Sequence, residues 1–475
     1  MPKLLLASMW SLGLLSGFIL ILVLIIMSLA GAEISLPIAI GITIFWNFLV
    51  WFVGPWISDL MYKWLYKVQW KSIEELEAKS PQSAKIIRTV CEQYGVSMPK
   101  LGIIPDNNPN AFTYGSGKWN SRIIVTEGIF AFLGEGERAA VYGHELGHIK
   151  NNDFIVMTIA STLVQIIYEI YYFSKEASKR RSRKGNPFPI IALIAYIFYI
   201  VGNYILLYLS RIREYYADEF SAKHTDPNDL AQALMKIALG ILATPENNRL
   251  VESTKHIGIA SVAVSEGIGL VYANAQKANN FEPFARALLF DIKSPWAWIA
   301  ELSSTHPLSG KRIRALMKLT PNPYYDLENI EQKYPVDQGK LYGGFWKDVS
   351  MYAAIRLLPW IGGIAGFLMS YATGIPEAIG MGVLSGVALA FGISILLSTY
   401  LKYGDMSPNQ TNVLEMMSDI YASPVRGKRV SLEGTIIGER DTWLCVFRGY
   451  DVTGQDVTHV SGFSKQNSNY WKPYF

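Results

Sequence analysis

Three pairs of long apolar runs punctuate this chain, and they constrain its fold more than any other feature. The first pair covers Leu4 to Ala30 and Ile34 to Ile57, and the second covers Phe154 to Phe173 and Phe188 to Leu209. The third covers roughly 350–372 and 376–401. About 20 apolar residues in a helix cross a bilayer, so each pair reads as a membrane hairpin. Lys3 and the small residues SLAGA at 28–32 give the N-terminus the outline of a signal peptide. The apolar stretch between them is far longer than the roughly 7–15 residues of a secretory signal core, so it reads as a membrane helix. The third pair is rich in small residues (GGIAG, GMGVLSG) of the kind that let membrane helices approach closely.

Half of the 475 residues are apolar and 17% are charged, which fits several spans joined to a soluble part. A formal charge of +4 is too mild to point to nucleic acid, and none is expected as a partner. Two distant cysteines, Cys91 and Cys445, make neither a disulfide framework nor a metal cluster. The NQT triplet at Asn409 reads as a chance sequon.

Between the hairpins the sequence is mixed in polarity. EELEAK, SAKIIRTVCEQY and LAQALMKIALGIL predict helices, and MPKLGIIPD and SRIIVTEG predict short strands around the turn-rich NNPNAF. Near the C-terminus, GKRVSLEGTIIGE and WLCVFRGYDV alternate as strands do. The expected class is a mainly α, multi-span membrane protein with an α+β soluble part and a small β-rich C-terminal domain.

The chemistry begins at VYGHELGHIK, residues 141–150. On a helix, residues four apart project from one face about a turn apart, so His144 and His148 can turn ring nitrogens toward one ion. Glu145 points roughly 100° away around the helix. It cannot join as a ligand in the same plane, but it can reach a water bound to that ion. A zinc protease needs this arrangement: two imidazoles hold the metal and a carboxylate takes the water's proton. The opposing reading is a chance match on an ordinary helix. Two of only six histidines fall at ligand spacing, which weighs against chance. Gly143 and Gly147 each cost the helix about 1 kcal/mol against alanine, so each asks for a reason such as close approach of another segment.

A catalytic zinc needs a third protein ligand and an open position for water. RIREYYADEF offers Glu214 and Asp218, four apart on one helical face. Glu214 would complete a His2Glu set, and Asp218 would accept a hydrogen bond from the far nitrogen of a ligating histidine. The alternative is a solvated acidic pair that bonds Arg211 or Arg213. Topology favours the metal. HELGH lies just before the third span and REYYADEF just after the fourth, so a hairpin returns both to one membrane surface.

Taken together, these stretches resemble the HtpX-type membrane zinc metallopeptidases, gluzincin-type relatives of the CAAX prenyl endopeptidases. The resemblance rests on MPKLGII, NPNAFTYG, IIVTEGIF, HELGHIKNND, REYYADEFSA, DPNDLAQALMKI and STHPLSGKRIRAL, in that order, over roughly residues 1–320. It implies a zincin-like catalytic domain that binds one zinc per chain through His144, His148 and Glu214. In it Glu145 would be the general base, with Asp218 behind the ligands. It also implies that Asn110, Ala111 and Phe112 lie beside the cleft, where an extended substrate could add as a strand. His306 matches a position near the site, with a role in oxyanion stabilisation or substrate orientation, or in packing at a helix start ahead of Pro307. Tyr215 and Tyr216 are further oxyanion candidates, although tyrosines beside a span commonly anchor at the interface. Two features depart from the family: the long stretch between Leu242 and Thr305, and everything after residue 345.

The expected organisation is a transmembrane hairpin over 1–57 and a first catalytic part over 58–152. A transmembrane or membrane-associated hairpin follows over 153–209, then a second catalytic part over 210–345. A third hairpin occupies 346–402, and a β-rich appendage occupies 403–475. Basic residues mark the cytoplasmic side of a span. Lys63, Lys67 and Lys71 follow the second span and Arg211 and Arg213 the fourth, which puts the active site in the cytoplasm; the expected membrane is a prokaryotic plasma membrane. The basic tip of the second hairpin, SKEASKRRSRKGN, conflicts with this if that hairpin crosses fully, and agrees if the tip lies against anionic headgroups.

The resulting expectation is an endopeptidase that cuts membrane or membrane-adjacent proteins in quality control. The alternatives are a CAAX-type processing protease and a scaffold that keeps a structural metal. The polar flanks GEGER and KNND argue against an HExxH buried inside a span.

Overall fold

The computed structural model describes residues 35–180, 186–243 and 281–403. It also describes the isolated positions Phe18, Leu22, Ile259, Gly269, Val271, Tyr272 and Ala275, and short pieces between 409 and 460. The expected span Leu4 to Ala30 lies outside the described residues apart from Phe18 and Leu22, as does part of the basic tip, 181–185. Among the described residues, five helices are long and apolar enough to cross a membrane. The chain divides into two compact units, 1–270 with 300–326 and 271–299 with 327–475.

In the first unit, α1 (Ser35–Leu65) runs beyond the expected Ile57. It exposes Phe45, Trp46, Phe48, Trp56 and Trp64, an apolar face suited to lipid. β1 (Gln69–Lys71) and α2 (Ile73–Lys79) follow, α2 opening on a capping box between Ser72 and Glu75. Next comes α3 (Pro81–Tyr94), which starts on proline and ends at Gly95 with φ of 61°, the left-handed conformation glycine adopts freely. β2 (Lys100–Ile104), β3 (Ala111–Gly117) and β4 (Asn120–Thr126) complete a four-stranded mixed sheet in the order β1-β2-β4-β3. β2 and β4 are parallel, and β3 runs antiparallel to β4 with Thr113 opposite Ile123. The sequence reading took NNPNAF for turns and missed both β1 and β3. β1 is three residues long, and β3 is broken by Gly115 and Gly117, so neither shows a strand's alternation.

The short helix α4 (Glu127–Phe132) leads into α5 (Glu135–Lys150), whose residues from Ala139 to Lys150 are all buried. A tight turn then reverses the chain. Asn152 takes φ of 57°, a conformation asparagine tolerates better than most residues. α6 (Asp153–Arg180) and α7 (Phe188–His224) form the expected hairpin, packed through Val164, Ile167, Ile170, Ile191 and Ala195. Facing tyrosines, Tyr168 with Tyr199 and Tyr171 with Tyr196, extend this contact at 5.2 Å between ring centroids. At 1.5 Å per residue the 37 residues of α7 reach about 55 Å, well beyond a hydrocarbon core of about 30 Å. Glu214 and Asp218 therefore ride on the same unbroken rod as the span. α8 (Pro227–Ala243) and the helix Ser309–Met317 pack around α5 and α7.

The second unit contains the helix Glu282–Lys293 and a hairpin of Gln338–Ala372 with Pro376–Tyr403. Gly362 and Gly366 meet the backbone of Gly382 and Gly386 there, so the small residues do permit close packing. Of the expected β-rich appendage, the described residues include Asn409–Gln410 beside Val430–Ser431 and an antiparallel pair, Val446–Tyr450 with Asp456–Val460. Residues 418–426 are turns and bends, and most of the remainder lies outside the described residues.

Candidate metal centre

Two helices meet at the site, and glycine lets them meet closely. A Cβ on Gly147 would sit 2.9 Å from the Cα of Ala217, and one on Gly143 would sit 3.0 Å from Ser221 Oγ. The Ser221 hydroxyl also donates to the Ala140 carbonyl at 2.6 Å, tying α7 to α5. The glycines of the motif are thus the seam along which α7 approaches α5.

Across that seam three ligand atoms converge. Nε2 of His144 and Nε2 of His148 are 3.2 Å apart, and each lies 3.5 Å from an oxygen of Glu214. The three residues are buried and their ligand atoms lie within 4.8 Å of one another. Each histidine is held from behind by a carboxylate. Asp218 Oδ1 lies 2.9 Å from Nδ1 of His144, and Asp153 Oδ2 lies 2.6 Å from Nδ1 of His148. A carboxylate at Nδ1 fixes the proton there and leaves the Nε2 lone pair for a metal. Glu214 Oε2 is buried without a hydrogen-bond partner among the described residues. Two imidazole nitrogens and a carboxylate oxygen, all facing one point, form the donor set that zinc takes once the imidazoles are deprotonated.

The supporting residues are themselves supported. Arg312 donates to both oxygens of Asp218, Nε to Oδ2 at 2.8 Å and Nη2 to Oδ1 at 2.7 Å. Arg213 pairs with Asp153 at 3.1 Å, and Arg211 donates to the carbonyls of Glu301 and Ser304, both at 2.8 Å. Neither arginine is spent on Glu214 or Asp218, against the solvated-pair alternative. Sequence reasoning missed Asp153, Arg312, Arg213 and Thr113. Asp153 had a signal: it follows the turn directly after His148.

Electrostatics agree with a cation site. Burial opposes charge on His144, yet the carboxylates of Asp218 and Glu214 beside it outweigh this and raise the ring to about 9. Burial also raises the Glu145 carboxyl above its ordinary range, against the pull of the two imidazoles. Glu145 accepts a short hydrogen bond from the Thr113 hydroxyl of β3.

The remaining candidates divide. His306 is buried beside Glu214, with Nε2 3.7 Å from Oε1, and its Nδ1 lies 3.0 Å from Thr305 Oγ1. Burial pushes it down to about 4, so this ring is neutral. Tyr215 and Tyr216 are partly buried, and neither hydrogen-bonds a metal-site residue among the described residues. Asn110 and Phe112 face away from the open edge of β3. The Asn110 carbonyl accepts from Thr126 N on β4 at 3.0 Å, and the Phe112 ring packs at a tilt against Tyr62 of α1, 5.2 Å between ring centroids. Ala111 turns its carbonyl outward, where the main-chain N–H of Ile259 donates to it at 3.0 Å. The Ala111 carbonyl, on the side of β3 away from β4, is thus bonded within the chain itself.

The model of Peptidase family M48 matches residues 77–320. A Protease HtpX homolog of Methanothermobacter thermautotrophicus is 40% identical over 164 residues, 34% of this chain and 61% of its own length. One from Pyrococcus furiosus is 31% identical over 312 residues, covering 65% of this chain and 94% of that protein. A third, from Burkholderia mallei, is 34% identical over 210 residues, covering 44% of this chain and 69% of that protein. Among solved structures, Ste24p of S. mikatae shares 17% identity over 66% of this chain and 67% of that one, at a TM-score of 0.38.

Proposed function

The chain belongs to peptidase family M48, and from that premise we propose that it is a zinc-dependent endopeptidase working at a membrane surface. The observation that carries this reading is the convergence of His144, His148 and Glu214, with Nε2 atoms 3.2 Å apart. These three would hold one zinc. When bound, zinc polarises a scissile carbonyl and brings the pKa of its water to about 7.

The protein's own groups do the rest. Glu145, next to His144 and outside the ligand set, takes the proton from the attacking water and hands it to the leaving amine. Asp218 and Asp153 keep each imidazole in the tautomer that presents Nε2. An extended peptide adds to the edge of β3 at Thr113, whose main-chain groups point away from β4, with main-chain hydrogen bonds setting its register. His306, neutral and beside Glu214, is placed to donate from Nε2 to a carbonyl oxygen of the bound peptide.

The substrates we propose are membrane or membrane-adjacent proteins, cut in quality control. Support comes from the unbroken helix α7, which joins a span to the third ligand. The basic residues Lys63, Lys67 and Lys71 support an active site on the cytoplasmic side of the membrane, which we propose is a prokaryotic plasma membrane. The test is proteolysis of casein by purified chain beside Glu145→Gln, with zinc measured in both. The variant should keep zinc and lose cleavage. Cleavage at the wild-type rate would overturn the mechanism.

A further inference from the structure

β3 reaches the metal centre through one side chain. Its residues alternate across the sheet: Phe112 and Tyr114 pack on Tyr62 of α1, at 5.2 and 5.4 Å between ring centroids. Thr113 turns to the opposite face, where its buried hydroxyl donates to Oε2 of the buried Glu145. We propose that Thr113 is a positioning residue for Glu145, holding Oε2 so that Oε1 stays aimed at the attacking water. The proposal rests on the reading of Glu145 as general base.

The argument is one of freedom and anchorage. The terminal torsion of a glutamate is broad, so a carboxylate on a rigid helix still swivels unless something holds one oxygen. Proton transfer needs that oxygen within hydrogen-bond reach of the water, and geometry decides before acidity does. Thr113 is a good anchor because its strand is fixed on both sides. It pairs with Ile123 of β4, and the neighbouring Tyr114 hydroxyl donates to Asp59 of α1 at 2.8 Å. A β-branched hydroxyl residue also has few rotamers in a strand. In the antiparallel ladder the Asn110 carbonyl points to β4, so the main-chain groups of Ala111 and Thr113 point away from β4, where Ile259 N donates to the Ala111 carbonyl. The residue that orients the base therefore also lines the edge on which a peptide adds. Base orientation and substrate docking share a single residue.

The test compares Thr113→Val, which keeps the shape and removes the hydroxyl, with Thr113→Ser, which keeps the hydroxyl. Both are made in the full chain, with zinc content, kcat and KM measured on a peptide, and Glu145→Gln is assayed in parallel. Thr113→Val should lose about 10- to 100-fold in kcat at wild-type zinc, with KM changed less than about twofold. Thr113→Ser should stay within about threefold of wild type. If Thr113→Val does not fold, Thr113→Ala takes its place in the same comparison. An unchanged kcat without the hydroxyl, or a Ser variant as slow as the Val variant, would overturn the proposal. An active Glu145→Gln would instead overturn the general-base reading. An inactive Glu145→Gln beside a fully active Thr113→Val would overturn only the role of Thr113.

Discussion

Arg312 closes on Asp218 with two hydrogen bonds, of 2.8 and 2.7 Å, and both residues are buried. Because Asp218 Oδ1 also lies 2.9 Å from Nδ1 of His144, an arginine far along the chain bears on the tautomer of a candidate metal ligand. The Asp218 substitution follows directly. Asp218→Asn keeps the size but turns a shared acceptor into a neutral amide. Zinc affinity should fall by about 10- to 100-fold, with the fold retained, in a competition titration against a chelator. Wild-type affinity would mean that Asp218 does not orient His144.

Removing the arginine should act on stability instead. Arg312→Ala leaves a buried carboxylate without its cation, which costs about 3–5 kcal/mol. The expected outcome is a large drop in melting temperature of the metal-free chain, larger than that from Arg211→Ala. Arg211 binds only carbonyl oxygens, so its loss strands no buried charge.

Metal binding should depend on pH with a definite sign. In the metal-free chain His144 titrates at about 9 rather than 6.5. Its proton stabilises the metal-free fold fully below 6.5, and that contribution is lost as pH rises through about 9. Zinc must displace this proton, so apparent affinity should rise about tenfold per pH unit up to that point and then level. A flat affinity between pH 7 and 8.5 would contradict the exchange.

The seam between α5 and α7 can be tested at its tightest point. In Gly147→Ala the new methyl carbon meets the Ala217 backbone at 2.9 Å, and backbone cannot swing aside. The helices must separate, at a cost of about 1–3 kcal/mol, and the two half-sites separate with them. Gly147→Ala should therefore lose zinc as well as stability. In Gly143→Ala the nearest atom is a hydroxyl at 3.0 Å, so the loss should be smaller.

Much of the ligand set was legible because it depends on local helical geometry. Spacing of four puts His144 with His148, and Glu214 with Asp218, whatever the rest of the chain does. The hairpin logic then brought the two pairs together, and α7 sharpened it by running unbroken from span to ligand. Asp153, Thr113 and Arg312 escaped notice because their roles arise only in three dimensions. Asp153 depends on the left-handed turn at Asn152, Thr113 on a strand interrupted by glycines, and Arg312 on a helix that returns late in the chain. NNPNAF read as a turn, and only strand pairing distinguishes Ala111, facing outward, from Asn110 and Phe112, which face inward.

The central claim is that Glu214 completes the metal set begun by HELGH. Zinc per chain, measured by elemental analysis on purified wild type beside Glu214→Ala, tests it most directly. The account predicts about one equivalent in wild type and almost none in the variant, with the variant still folded. Full occupancy in folded Glu214→Ala would contradict it and assign the third ligand to another residue.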